Sequence, residues 1–150
     1  MRLPKQVLVI PYRIINEKVE YCIFRRKDMP VWQWISGGVE DTDVDILAAV
    51  KRELYEETSI SNNINIIELE GFTKIPVVNI VKRFKWGEDV FYSEEYSFAV
   101  NIDKRKIEIS QEHSEYRWAS YDEAKTLLKY DSNKNALWEL NEKIKRGIIK

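Results

Sequence analysis

Cysteine is almost absent from this chain: Cys22 stands alone among 150 residues. One thiol excludes an internal disulfide framework and cannot build a thiolate metal site. A reducing compartment fits best, and the cytoplasm is the expectation. Excess charge is missing too. With 24 Lys and Arg against 25 Asp and Glu, the net charge is −1, so nothing global draws the chain to nucleic acid or an anionic membrane. No apolar run approaches the roughly 18 residues that a membrane span needs. The N-terminus begins basic, but the apolar run after it stops at Pro11 without a small-residue cleavage site, which reads as a strand and not a signal peptide. There is no repeat, no low-complexity tract and no linker. What remains is an ordinary globular balance, 44% hydrophobic and 33% charged, in a length that suits one domain over residues 1–150.

Gln6 to Ile14 and Val19 to Arg26 are β-rich runs around a polar Asn16-Glu17-Lys18 turn, the pattern of a hairpin. Val31 to Ile35 predicts a short aromatic strand, and Ser36-Gly37-Gly38 after it is turn chemistry. Asp45 to Thr58 is the strongest helix. Asp43 or Asp45 can cap it, with Ile46, Leu47, Val50 and Leu54 on one apolar face. Ile64 to Ile75, Val90 to Ile102 and Glu115 to Trp118 predict strands. Pro76 to Asp89 is basic, aromatic and unassigned. Ser120 to Leu128 opens with a capping box, Ser120 then Glu123, and Ser132 to Lys145 is a final amphipathic helix. Single helices among mostly antiparallel strands indicate an α+β or layered α/β/α arrangement, not a regular doubly wound one.

The chemistry is concentrated in Gly37-Gly38-Val39-Glu40-Asp41 and in the helix end Arg52-Glu53-Leu54-Tyr55-Glu56-Glu57. At 100° per residue, Arg52, Glu53, Glu56 and Glu57 span an arc of roughly 140°, opposite Leu47, Val50 and Leu54. The three glutamates repel one another at i+3 and i+4 spacing. They also sit where the helix dipole disfavours anions. Three Glu on a helix of so charged a chain are usually just a solvated face. Two local rules broken at one place, beside a Gly-Gly segment that lets backbone approach a ligand, point instead to a bound hard cation.

This segment resembles the Nudix box, Gly-x5-Glu-x7-Arg-Glu-U-x-Glu-Glu-x-Gly-U, with U a bulky aliphatic. Gly38 supplies the first glycine, Arg52 to Glu57 the central core and Ile60 the last aliphatic. Two positions depart: Val44 replaces the glutamate, with Asp43 able to take over, and Ser59 replaces the glycine at a helix C-terminus that favours glycine. Val31-Trp32-Gln33-Trp34 and Gln111 to Trp118 resemble the dihydroneopterin triphosphate pyrophosphatases and related nucleoside triphosphate pyrophosphohydrolases of that family. The resemblance implies an α+β fold, an α/β/α sandwich with a mixed central β-sheet, and implies that Glu53, Glu56 and Glu57 hold Mg²⁺, with Mn²⁺ as the alternative, aided by the carbonyl of Gly37 or Gly38. It implies that Arg52 pairs with a carboxylate on its own helix, Glu56 by spacing. It further implies that Glu53 or Glu112 takes the proton of the attacking water and that pyrophosphate leaves from a nucleotide-like triphosphate.

Other residues are weighed more evenly. His113, the only histidine, reads as incidental because carboxylate bases are at hand. Arg25 and Arg26 are candidates for phosphate oxygens, against an ordinary surface strand pair. Trp32 and Trp34 share one strand face, either as core or as a stacking surface for a ring. Val81 to Trp86 interleaves cations and aromatics. It suits a substrate-side loop or a contact with a second copy of the chain better than nucleic acid. Two further readings stay open: hydrolysis of another X-linked nucleoside diphosphate, and a non-catalytic nucleotide-binding regulator.

Overall fold

The computed structural model describes residues 1–61, 63–80 and 86–150. Its strands are β1 (Arg2–Ile15), β2 (Lys18–Arg26), β3 (Trp32–Gln33), β4 (Ile35–Glu40), β5 (Ile66–Pro76), β6 (Tyr92–Asn101) and β7 (His113–Ala119). Its helices are α1 (Ile46–Thr58), α2 (Tyr121–Leu127) and α3 (Asp131–Lys145), with a 3-10 turn at Val77–Asn79. The β1–β2 hairpin closes on Asn16 and Glu17, both at positive φ, the two-residue turn whose twist suits paired strands. β1 is the spine of the sheet. It pairs antiparallel with β4 along its first half and with β2 along its second, and it runs parallel to β6 on the other edge. β7 joins β2, and β5 joins β6. One parallel pair among antiparallel ones makes the sheet mixed, as expected.

Alternation along the strands builds two cores. Val7, Val9, Cys22, Phe24 and Ile35 pack with Ala49, Val50 and Leu54 of α1. Leu8, Ile10, Tyr21, Ile23 and Trp34 pack with Ala136, Leu137 and Leu140 of α3. The result is helix, sheet, helix: the α/β/α layering expected for an α+β chain. Among the described residues no helix is long and apolar enough to cross a membrane.

Two local expectations are corrected. Ser36-Gly37-Gly38 is not a turn but the middle of β4, in register with Leu8, Val7 and Gln6. Glycine here serves close approach within a strand. Leu47 is 40% exposed, and Ala49 takes its place inward, because α1 is rotated to bring its acidic side toward the sheet. The capping box on α2 forms as expected, with Ser120 accepting from Glu123 N–H and Glu123 accepting from Ser120 N–H. Residues 81–85 of the cation-and-aromatic run lie outside the described residues.

Candidate active site

The acidic side of α1 is not a solvated face. Glu53 is 7% exposed and Glu57 4%, while Glu56 is half exposed. Asp45 caps the helix, its side chain accepting from Ala48 N–H. The other end closes on Ser59 at φ 63°, whose N–H donates to Tyr55 O. Serine thus occupies the left-handed position that favours glycine. Val44 is 91% exposed, while its neighbour Asp43 turns its carboxylate inward to Arg52.

Arg52 makes the hub. Its Nε and Nη2 donate to the two carboxylate oxygens of Asp43 at 3.1 and 2.9 Å, Nη2 also to the Gly38 carbonyl at 2.8 Å, and Nη1 to Glu53 Oε1 at 2.9 Å. Glu56, the partner expected from spacing, is the weakest contact at 3.5 Å. The planar guanidinium fork matches a carboxylate with both nitrogens only at Asp43, on the loop before the helix. A second expectation changes with it: the Gly38 carbonyl faces the guanidinium, and a carbonyl committed to one cation is poorly placed to serve another.

The two glycines of β4 face opposite ways. A Cβ on Gly37 would overlap the Glu53 carboxylate, and one on Gly38 would overlap the Arg2 side chain. Gly37 therefore lets a buried carboxylate lie on the strand. Burial first, then the neighbouring charge of Glu56, pushes Glu53 up to about 7, against the pull of Arg52.

Glu57 is held differently. His113 Nδ1 lies 2.6 Å from its Oε2, and Ser110 Oγ donates to the same oxygen at 2.7 Å. Burial works to raise this carboxyl, but the His113 and Ser110 contacts outweigh it and keep it below the ordinary range. Glu112 stands beside it on the exposed side. Burial and the Glu57 charge raise its carboxyl. His113, read from sequence as incidental, is 6% exposed and packs on Phe24 at 5.2 Å between ring centroids. Ser110 gives no sequence signal of this role, since a lone hydroxyl is ordinary until the fold sets it against α1, and the sequence marks Asp43 as the stand-in for the box glutamate without pairing it to Arg52.

Trp34 is not a stacking surface. It is fully buried, its backbone N–H donates to Asn133 Oδ1 and its Nε1 to the Asn133 carbonyl, both at 2.9 Å. Trp32 is half-buried against the α3 core, with Arg117 over its ring at 5.2 Å. Arg25 follows Tyr21 and Ile23 onto the α3 face of the sheet, in register with Trp32. The acidic residues are on the α1 face, so the structure does not bring Arg25 together with them. Arg26 is engaged by both oxygens of Asp28. Among the described residues no three acidic, His or Cys side chains converge tightly enough to form a ready-made metal cage. The site is two clusters on one helix, Arg52–Glu53–Glu56 and Glu57–His113–Ser110–Glu112.

A NUDIX domain profile matches residues 4–139. The chain belongs to the NUDIX family. It is 31% identical over 128 residues to the asymmetrical bis(5'-nucleosyl)-tetraphosphatase of Rattus norvegicus, covering 85% of this chain and 82% of the relative. It is 25% identical over 135 residues to the dihydroneopterin triphosphate diphosphatase of Haemophilus influenzae, covering 89% and 84%. Among solved structures, a Listeria monocytogenes protein assigned to the NUDIX hydrolases superposes with a TM-score of 0.86 at 35% identity, covering 99% of each chain. The protein is thus a NUDIX hydrolase of phosphoanhydride bonds. The non-catalytic reading gives way to this.

Proposed function

We propose that this NUDIX hydrolase cleaves a nucleoside-triphosphate-like substrate, a nucleotide or dihydroneopterin triphosphate, to a monophosphate and pyrophosphate with Mg²⁺, or Mn²⁺, as cofactor. The observation that carries the reading is the Glu53 carboxyl, buried on Gly37 and pushed up to about 7. Folding has gathered more negative charge there than Arg52 neutralises, and the donors are all oxygen, which suits a hard divalent cation. Glu53, Glu56 and Glu57 would hold it. NUDIX hydrolases generally use such ions, and a cation of this kind neutralises phosphate charge and aligns the displacement.

The chain's own groups have separate tasks in this proposal. Arg52, fixed by Asp43 and the Gly38 carbonyl, orients the Glu53 carboxylate. His113 and Ser110 keep Glu57 ionised and in one rotamer, which makes them positioning residues. Beside positive charge Glu53 returns to its ionised state as a ligand. Glu112, exposed and next to Glu57, is then left to take the proton of the attacking water. Small nucleotide-like substrates suit a protein with no excess positive charge, and the lone buried Cys22 suits a reducing cytoplasm.

The test is incubation with Mg²⁺ and a panel of triphosphates, with pyrophosphate and monophosphate quantified, and repetition with EDTA and with Glu57→Gln. Turnover without pyrophosphate release would sink the proposed bond choice. The similarity to the rat enzyme favours one second reading, asymmetric cleavage of a dinucleoside tetraphosphate. A mononucleotide together with a nucleoside triphosphate as products would select it.

A further inference from the structure

A polyphosphate arriving at α1 meets the charges of Glu53, Glu56, Glu57 and Glu112, and like charges repel unless a cation stands between them. Arg52 is already spent, because Asp43, the Gly38 carbonyl and Glu53 take up its guanidinium. Arg25 lies on the other face of the sheet. Arg26 is placed differently. Alternation along β2 carries it, after Cys22 and Phe24, onto the α1 face. Its register partner on β7 is His113, whose ring holds Glu57. The next residue ties the same point to the Glu112 segment, since Lys27 N–H donates to the Glu112 carbonyl at 3.0 Å. Asp28, then the Tyr130 phenol and the Glu112 carboxylate, stand within electrostatic reach of the Arg26 guanidinium.

The backbone and the head of Arg26 are held in different ways. Strand pairing to His113 fixes the backbone on one side, and the Arg26 N–H donates to the Val31 carbonyl at 2.9 Å on the other. The head is held by one carboxylate in the loop that follows: Nε donates to Asp28 Oδ1 at 2.8 Å and Nη2 to Oδ2 at 2.6 Å. The Arg26 side chain is 25% exposed and that of Asp28 55%. A planar, two-pronged grip of this kind is also how a guanidinium takes a phosphate. An exposed ion pair adds little to stability, and a phosphate brings more charge to the same fork than a carboxylate does. The head can therefore change partner while the backbone stays in place.

We propose that Arg26 anchors a phosphate of the substrate in its guanidinium fork, and that Asp28 occupies the fork until the phosphate displaces it. Arg26 is then a substrate-binding residue, and Asp28 an internal competitor that sets how tightly the anchor holds. The inference rests on the proposed placement of the polyphosphate at the α1 carboxylates, whichever compound carries it.

Calorimetric titration with methylenediphosphonate in Mg²⁺ reads phosphate binding without turnover, because its P–C–P bridge is not a phosphoanhydride. Arg26→Gln should weaken binding about tenfold or more, as loss of a charged hydrogen-bonding partner does. Asp28→Asn should tighten it about two- to fivefold, the size of an exposed ion pair. The two changes combined decide between displacement and general charge. If Asp28 acts by holding the fork, its gain disappears in the Arg26→Gln background. A gain of the same size with and without Arg26 would mean that Asp28 merely repels the anion, and would overturn the proposal. So would native affinity in Arg26→Gln, an unchanged Kd in Asp28→Asn, or no measurable binding by the native protein. If Arg26→Gln does not fold, Arg26→Lys carries the test. Lysine keeps the charge without the fork, so weaker binding supports the anchor and native affinity overturns it. A protein that shows this pattern yet releases no pyrophosphate from any triphosphate would refute the proposed reaction and leave the anchor standing. Pyrophosphate release with the same KM in native and Arg26→Gln protein would do the reverse.

Discussion

Strand β4 has two faces, and consecutive glycines serve them for different reasons. Gly37 makes room on the α1 face for a carboxylate that folding alone would not keep there, and Gly38 makes room on the α3 face for Arg2. The carboxylates of the two faces differ in the same sense. Glu53 is pushed up to about 7 by burial and like charge. Glu139 on α3 is held below its ordinary range, because it accepts from the N–H groups of Glu70 and Gly71 and from Lys143 Nζ, which together outweigh its burial. One carboxylate is left wanting positive charge, and the other is fully supplied. On the proposed function, the difference separates a group kept for chemistry from a group kept for stability.

The largest effect should come from Gly37→Ala. Its methyl group would displace the Glu53 carboxylate, and a misplacement of that size at a reacting centre lowers kcat by about 100-fold. Steady-state kinetics beside a thermal melt would show activity lost and the fold kept. Equal activity would mean that Glu53 does not work from its place on β4. Asp43→Asn comes next. Loosening the hub of Arg52 should reduce activity or Mg²⁺ affinity by about 10- to 100-fold, as loss of a group behind a metal ligand does. Glu56→Gln, which removes a proposed ligand carboxylate together with the 3.5 Å contact to Arg52, should weaken activity while leaving the pairing between Arg52 and Asp43 intact, so the two variants tell hub from ligand.

On the other face, Glu139→Gln should cost about 1–2 kcal/mol at neutral pH by denaturant unfolding, with kcat unchanged. The sign follows from its lowered pKa. The stabilisation is present above the ordinary carboxyl value of 4.5 and disappears as pH falls through the folded value. Native protein and variant should therefore converge in stability on acidification, and a gap that stayed constant to pH 3 would refute the ionic origin. The smallest effect is a gain. Ser59→Gly relieves a left-handed non-glycine residue and should stabilise by about 1 kcal/mol, without altering turnover.

Legibility in the sequence followed the range of the interaction. The hairpin, α1 with its Asp45 cap, and the α2 capping box are decided within a few residues of chain, so periodicity and capping chemistry found them. Residues 36–38 were misread because Gly-Gly signals a turn locally, whereas here it serves a carboxylate arriving from α1. His113 looked incidental because its partner, Glu57, is 56 positions away in sequence and adjacent only in space. Arg52 was matched to Glu56 by helical spacing, but a bidentate fork to Asp43 won over a single long contact.

By itself the sequence determined the family, the acidic helix and the layered α+β architecture. Spacing along one helix, and alternation along strands, are properties of the chain and need no partner to be read. The tertiary structure alone decided that Glu53 and Glu57 are buried and shifted in opposite directions, that Trp34 is core, and that Gln6 and Glu95 share a row with Gly38. Burial and charge coupling depend on distances across the sheet, and those exist only once β1 has drawn β4 and β6 to its two edges.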